Sequence, residues 1–504
     1  MMGIEFMHLI TDSLLLWGAL LLPALGAVIC LAFPRPALVR RIIVGVSIAQ
    51  TGLALLAARR VLIEGALIAG HEWLRVDAFS AFHLLVLALV YLASSIFAAT
   101  YFRHAHGAHR FRPRIARRFG FLWLGALAAM SLLLISNNLG MMWVGMESTT
   151  LLTAFLISLY TDKLSLEAMW KYLIICSVGI AFAFMGTLLA AASVRHMPQL
   201  AGGSMSWTSL MNPATVIDPT LMIIAFVFIM VGFGVKAGLA PVHSWLPDAH
   251  SQAPAPVSAM FSGFMLNAAL YCIMRYAPLV ERTLHHDFAG ILLLGFGALS
   301  MLVSAAFIVF QTDAKRLLAY HSVEHLGIIA LGYGLGPIGV FAALFHTLNH
   351  SLCKTLAFCG VGRLGQHYGT HDMHAIRGAL RVDRLWGLAL LGSMLALIGV
   401  APFAIFMSEY QIVRAAIAEH AWVMLAVFAL GGSIIFVSAL RHVMDMVYGE
   451  PSIDAPARAA ITMHDGIGAV AMVGGTLGLL VILGLWLPGP LLALMQQAVR
   501  VVSG

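Results

Sequence analysis

Long uninterrupted apolar runs alternate with short charged or Pro/Gly-rich breaks along the whole chain. Stretches such as LLLWGALLLPALGAVICLAF and LMIIAFVFIMVGFGV carry no charge over lengths that suit membrane-spanning helices, which need about 20 apolar residues. A transmembrane β-barrel would instead show short segments of alternating polarity. The pattern therefore predicts fourteen helices, over 13–33, 39–58, 78–102, 117–136, 139–160, 165–192, 219–240, 256–276, 288–311, 314–335, 337–362, 385–418, 421–448 and 465–488. No soluble domain fits between them; the longest connections lie near 193–218 and 363–384.

Two of these runs are interrupted by proline. VGFGVKAGLAPVHSWLPDAH holds Lys236 and Pro241, and LALIGVAPFAIFMSEYQIV holds Pro402 and Glu409. The spacing of Lys236 and Glu409 is close to that between the starts of the fourth and ninth runs, at 117 and 288. A unit of five helices is odd-numbered, so a copy of it enters the membrane from the opposite side. The expected fold is an all-α polytopic membrane protein with two inverted five-helix repeats, each containing a broken helix. Helices 1–3 occupy 1–116. The first repeat covers 117–287 with its broken helix at 219–252, and the second covers 288–448 with its broken helix at 385–418. Residues 449–504 form a last loop and helix. Proline inside a span frees carbonyls that neighbours or water must satisfy, so both breaks mark expected hydrated pockets.

Composition agrees: 61% of the residues are hydrophobic and 10% charged, against about half and a quarter in soluble proteins. The net charge of +7 does not imply nucleic acid, because the basic residues cluster in loops. The densest cluster is Arg103, Arg110, Arg112, Arg114, Arg117 and Arg118, and loops after odd-numbered helices are the richer in Lys and Arg. The positive-inside rule puts those loops in the cytoplasm and both termini on the outer face. No basic n-region or cleavage site marks a signal peptide. Cys30, Cys176, Cys272, Cys353 and Cys359 sit in apolar runs without a CxxC pair, which reads as small core residues.

Six ionisable residues fall inside predicted runs: Glu147, Lys171, Lys236, Glu324, Lys354 and Glu409. Such groups are costly in hydrocarbon and mark ion pathways by default. Lys171 is close enough to its helix end to snorkel. Between the lysines lie His243, His321, His325, His346 and His350; the pairs 321/325 and 346/350 each share a helical face, and an unperturbed pKa of about 6.5 suits imidazole to proton relay. The HxxxH spacing reads as no metal site, for want of an expected flanking acid or cysteine. His104, His106 and His109 read as a solvated or headgroup-facing loop, Asp248 as a cap or the lining of a proton path, and Trp143, Trp170, Trp245 and Trp386 as interfacial anchors. No dinucleotide fingerprint, P-loop or nucleophile motif is present, so no cofactor-binding or redox site is expected in this chain.

The motifs WVGMESTTLLTAFL around Glu147, VGFGVKAGLAPVHSWLPDAHSQAPAPVSA around Lys236, TDAKRLLAYHSVEHLGIIALG, LFHTLNHSLCKTLAF around Lys354 and FAIFMSEY around Glu409 resemble the antiporter-like subunits of respiratory complex I, group 4 membrane-bound [NiFe] hydrogenases and multi-subunit cation/proton antiporters. MESTTLLTAFL, SLEAMWKYLIICSVGIAFA and YHSVEHLGI are most similar to hydrogenase 4 components of the F type. The resemblance implies that Glu147 pairs with the broken-helix Lys236, that Lys354 is the central lysine of the second half, and that Glu409 is the terminal ionisable group. Where many complex I members have a histidine after PVSA, this chain has Ser262.

In low dielectric an ammonium without a counter-charge gives up its proton more readily, and a nearby carboxylate restores its hold. The expected function is therefore proton translocation through a buried Lys/Glu/His/water chain, in a subunit of a redox-driven complex that is complex I-like or hydrogenase 4-like. Its expected partners are other membrane subunits and a peripheral cytoplasmic arm, with any Fe–S clusters, NiFe centre or flavin confined to those partners. The alternatives are a subunit of a multi-subunit Na⁺(K⁺)/H⁺ antiporter, a membrane subunit coupling proton flux to inorganic-carbon accumulation, and a non-pumping scaffold.

Overall fold

The computed structural model describes residues 2–33, 35–103, 111–196, 203–284, 287–451 and 466–503, with side chains from Thr11 onward. The loop histidines His104, His106 and His109 lie outside the described residues. The helices, in chain order, are α1 (Met2–Ala32), α2 (Pro36–Glu64), α3 (Ala78–Tyr101), α4 (Pro113–Ile135), α5 (Leu139–Ile157), α6 (Lys163–Ala192), α7 (Trp207–Leu210), α8 (Pro219–Ala237), α9 (Trp245–Gln252) and α10 (Ala255–Met260). A π-helical turn at Phe261–Met265 runs into α11 (Leu266–Leu284). There follow α12 (Phe288–Ile308), α13 (Ala314–Tyr333), α14 (Gly336–Tyr368), α15 (Ala379–Val382), α16 (Arg384–Leu397), α17 (Ala404–Ala418), α18 (Trp422–Tyr448), α19 (Ile467–Leu485) and α20 (Gly489–Ser503). Two small antiparallel hairpins, Leu67–Ala69 with Leu74–Val76 and Val194–His196 with Val216–Ile217, close loops between helices.

Helix underlies each of the fourteen predicted runs. Among the described residues, eleven helical segments are long and apolar enough to cross a membrane by length and composition, with Ala255–Leu284 counted as one. The other runs fall on α13 and α14, which carry buried polar residues, and on the short pair α16 and α17. The amphipathic α20, packed on α3 and α14, was not expected from the apolar pattern.

Asp or Asn N-caps start seven of the helices. Asp77, Asn138, Asp162, Asp218, Asp287, Asp313 and Asp383 each accept from a backbone N–H in the first turn, a bond worth about 1 kcal/mol apiece. The segment Ala255–Leu284 is enclosed along its whole apolar window, whereas only 17% of that of α18 is buried. The bundle is thus built around α10–α11, α13 and α14, with α1, α2, α6, α18 and α19 presenting apolar faces outward. Small residues allow the closest contacts, as is usual where packing rather than water exclusion drives helix association. A Cβ on Gly232 of α8 would lie 2.4 Å from the Ala183 backbone of α6, and Gly297 and Gly327 face each other across α12 and α13.

Two tryptophans expected at interfaces are interior instead. Trp245 is fully buried and donates to the Val235 carbonyl at 2.9 Å; Trp386 is fully buried beneath Arg363, whose guanidinium stands 5.6 Å from its ring. Both follow a helix break or a tight turn, where a large ring fills space that the missing helix leaves. A buried ion pair not anticipated from the pattern joins α3 to α11: Arg275 grips Asp77 with two bonds of 2.7 and 2.8 Å, donates to Ser80 and Tyr271, and lies against the rings of Phe79, Tyr271 and Trp207.

Removing one partner of such a pair strands a buried charge at a cost of about 3–5 kcal/mol. Asp77→Ala should therefore lower the thermal transition of the detergent-purified protein sharply, while Asp77→Leu combined with Arg275→Met recovers most of the loss. A double variant no more stable than Asp77→Ala would show that the pair is not the source of the effect.

Candidate functional site

Lys236 occupies the last turn of α8, where helix carbonyls favour a cation, and the chain then leaves the helix at Gly238. Gly238 has φ +75°, a left-handed conformation that costs glycine little. The second broken helix repeats the device: α16 ends before Gly399, with φ +72°. In both, Gly-x-Ala-Pro carries the chain to the second half-helix, α9 or α17. A Cβ on Gly399 would sit 2.3 Å from Oε2 of Glu409, so the glycine leaves room for that carboxylate as well as for the turn.

The expected direct pairing of Lys236 with Glu147 is not formed. Lys236 is fully buried and its ammonium donates to the Tyr172 hydroxyl, 4.5 Å from the centre of that ring. The Tyr172 hydroxyl is 2.5 Å from Thr153 Oγ1. Glu147 is half-buried on α5 and accepts from Ser177 Oγ at 3.2 Å, its second oxygen having no protein partner. The Tyr172 hydroxyl, itself bonded to Thr153, thus occupies the bonding role expected of the carboxylate. Neither was singled out from the sequence, although Tyr172 directly follows Lys171.

The second half is denser. Lys354, fully buried on α14, donates to the Leu318 carbonyl of α13 at 2.6 Å. His321 Nδ1 is 2.9 Å from Glu324 Oε2. His325 Nδ1 is 2.9 Å from His346 Nε2, and His346 Nδ1 is 2.9 Å from Ser408 Oγ on α17. The His350 ring centre is 5.3 Å from that of His325, with both its nitrogens buried and unbonded. Glu409 has no protein partner among the described residues and lines a cavity of about 400 Å³ together with Glu324, Met301, Ile328, Phe428 and Ser433. The acids thought to be missing around the HxxxH pairs are therefore present: ligand atoms of His321, Glu324 and His325, and of His325, His346 and Glu409, lie within 4.8 Å of one another in each set.

Ser262, in the π-helical turn, is 2.7 Å from Ser322 Oγ on α13. Asn267 donates to Ser351 at 3.1 Å. These contacts join the π-helical turn and α11 to Ser322 and Ser351, the sequence neighbours of His321 and His350. His243 is half-buried after the first break, its ring 6.2 Å from that of Tyr320. Among the described residues, no direct side-chain hydrogen bond joins the Lys236–Tyr172–Thr153 group to the Ser262–Ser322 pair.

Lys171 stands apart from all of this. It is about half exposed and bonded to Glu167 at 2.7 Å and Asp248 at 3.1 Å, and Asp248 in turn pairs with Arg316 at 2.7 Å. The charge is satisfied at the surface, and Asp248 ties α9 to α6 and α13.

Three further buried groups were not anticipated. Lys315 donates to the carbonyls of Ser251 and Ala253. It lines a cavity of about 450 Å³ with Tyr101, Tyr160, Asp162, Gln366 and His371, at the end of the bundle where α3 and α5 finish and α13 begins. His371, in the loop after α14, is pushed down to about 3 by burial and by the charge of Lys315, so it is neutral at ordinary pH. Beneath them His250 stacks on Phe358 at 4.8 Å, fully buried with both nitrogens unbonded. His250 and Lys315 sit at the ends of predicted elements, where local hydropathy does not separate a buried polar residue from a loop residue.

Comparison with known proteins agrees with this arrangement. Residues 136–435 match the family described as NADH:quinone oxidoreductase/Mrp antiporter, TM. A hydrogenase-4 component F homolog of Methylacidiphilum infernorum is 36% identical over 383 residues, covering 75% of this chain and 80% of that protein. The fold superposes on a chain of the membrane-bound sulfane sulfur reductase, an archaeal respiratory membrane complex, with a TM-score of 0.84 at 25% identity and 98% of each chain covered. It also matches a chain of the Mrp complex from Dietzia sp. DQ12-45-1b, with a TM-score of 0.82 at 21% identity, over 98% of this chain and 100% of that one. Buried charges on two broken-helix halves, a matching sequence family and relatives that are subunits of membrane complexes lead to one conclusion: the chain is a multi-pass membrane protein of the NADH:quinone oxidoreductase/Mrp antiporter transmembrane family.

Proposed function

We propose that this chain is the proton-translocating membrane subunit of a redox-driven complex of the hydrogenase 4 or complex I type. The observation that carries this reading is the buried series on α13, α14 and α17: Lys354, His321–Glu324, His325–His346–Ser408 and Glu409 lie in sequence across the second half, with an unpartnered carboxylate at one end on a cavity that opens beside α18. Each member takes or gives a proton, and the unbonded nitrogens of His350 suit bridging water. Imidazole is a poor ligand for hard alkali cations, which favours H⁺ over Na⁺ as the coupled ion.

Protons reach the series from the cytoplasmic end through the cavity beside Lys315 and His371, past His250. Lys236, with Tyr172 and Glu147, is the switch of the first half. Both termini lie on the outer face of a bacterial or archaeal inner membrane, as the charge of the loops supports. The two halves are inverted repeats. A peripheral cytoplasmic arm and the neighbouring subunits hold the Fe–S clusters, NiFe centre or flavin, and this chain binds none of them.

Proton uptake by inverted vesicles tests the reading. Lys236→Ala and Glu147→Ala should abolish uptake while the complex still assembles; normal uptake by correctly inserted Lys236→Ala would contradict it. Gly399→Ala places a methyl against the Glu409 carboxylate and should reduce uptake to the level of Glu409→Gln. Gly474→Ala, whose added Cβ meets nothing within 4 Å, should leave uptake intact. Equal behaviour of the two glycine variants would remove Glu409 from the path.

A further inference from the structure

We infer that His325, His346 and Glu409 form a binding site for a divalent transition metal of the Zn²⁺ class at the centre of the second half. Two imidazoles from adjacent helices point ring nitrogens at one another 2.9 Å apart, and the Glu409 carboxylate lies within 4.8 Å of both. Two nitrogens bound to one tetrahedral zinc, at about 2.0–2.1 Å each, stand about 3.3 Å apart. The ion therefore needs the nitrogens to part by a few tenths of an ångström and turn toward a common point, and the Glu409 oxygen to come up to about 1.5 Å closer, a movement for which its cavity leaves room.

The surroundings supply what such a site needs. Ser408 holds Nδ1 of His346, which orients Nε2 toward His325; an outer partner on the far ring nitrogen is the usual device for aiming a metal-binding histidine. Glu409 spends its oxygens on no other protein group, and its cavity of about 400 Å³ has space for a water as fourth ligand. His325 also keeps a buried, unbonded Nε2. The donor set of two imidazole nitrogens and one carboxylate suits zinc, cobalt or nickel; Na⁺, Ca²⁺ and Mg²⁺ call for oxygen. His325 belongs as well to the group with His321 and Glu324, so only one ion is held at a time. The Glu409 set takes it, because Glu324 is already bonded to His321.

Binding needs a lone pair on both facing nitrogens, so the hydrogen between the rings moves to the unbonded Nε2 of His325 and the metal takes its place, both imidazoles staying neutral. If these histidines are relay members, as proposed above, the bound ion interrupts the relay. This consequence rests on that reading; the binding itself does not.

The full chain, purified in mild detergent, stripped with a chelator and dialysed against Zn²⁺ alone, should retain one zinc per chain. His346→Gln and Glu409→Gln should lose it, Ser408→Ala should bind about tenfold or more weakly, and His321→Gln should retain it. X-ray absorption of the unmodified protein guards against misfolded variants. It should show a nitrogen/oxygen shell at about 2.0–2.1 Å with the outer scattering of imidazole. Equal zinc in His346→Gln, Glu409→Gln and the unmodified chain, or a spectrum without imidazole, would overturn the site. Zinc bound as described with undiminished proton uptake would uphold the site and overturn the relay reading instead.

Discussion

An ammonium, imidazole or carboxylate deep in a membrane protein can be met only by other protein groups or by enclosed water, because hydrocarbon offers nothing in exchange for lost hydration. The architecture of this chain follows from meeting that demand several times in one bundle. Lys236 is held at the carbonyl end of a half-helix and by a tyrosine hydroxyl; Lys354 and Lys315 are held by main-chain carbonyls of α13 and of the α9–α10 junction. Arg275 instead receives a bidentate carboxylate. Its pair is tightly satisfied on every side and has the character of a structural tie. The lysines each rest on a single neutral oxygen or a pair of them, which leaves them free to exchange.

The two halves meet the demand differently. Around Lys236 the polar groups are few and mostly hydroxyls, Tyr172, Thr153 and Ser177, with the Glu147 carboxylate beyond. Around Lys354 they are imidazoles and carboxylates packed ring to ring, His321 with His325 at 6.2 Å and His325 with His346 at 5.1 Å. A hydroxyl passes a proton only by taking another, whereas an imidazole stores one. The second half is accordingly where charge can reside, and it is also where the donor atoms converge closely enough for a metal.

Much of this was legible in the chain itself. Apolar periodicity located every long helix, and the proline in each of two runs marked both breaks to within a few residues. Charges inside apolar runs identified Glu147, Lys236, Lys354 and Glu409, all of which the bundle encloses or half-encloses. Partners were another matter. That Lys236 meets Tyr172 rather than Glu147 depends on how α6 and α8 slide together over Gly179 and Gly232, a tertiary fact with no local signature. Lys171 and Lys236 look alike as lysines in apolar runs, but one turn of helix phase turns the first toward Glu167 and Asp248 at the surface. Trp245 and Trp386 read as interfacial because they stand beside loops, and they are interior because those loops fold back into the bundle.

At Ser262, where the resemblance to complex I members implied a histidine, the chain makes a hydroxyl contact instead. Ser322 Oγ lies 3.0 Å from the Leu318 carbonyl and 2.7 Å from Ser262 Oγ, and either serine can donate across that contact. The same Leu318 carbonyl accepts Lys354 at 2.6 Å. A carbonyl oxygen has two lone pairs and accepts both, so the serine contact and the central lysine share one main-chain acceptor. A histidine at position 262 could store a proton, which a hydroxyl does not. The serine pair therefore offers a polar contact beside Lys354 and no resting place for charge.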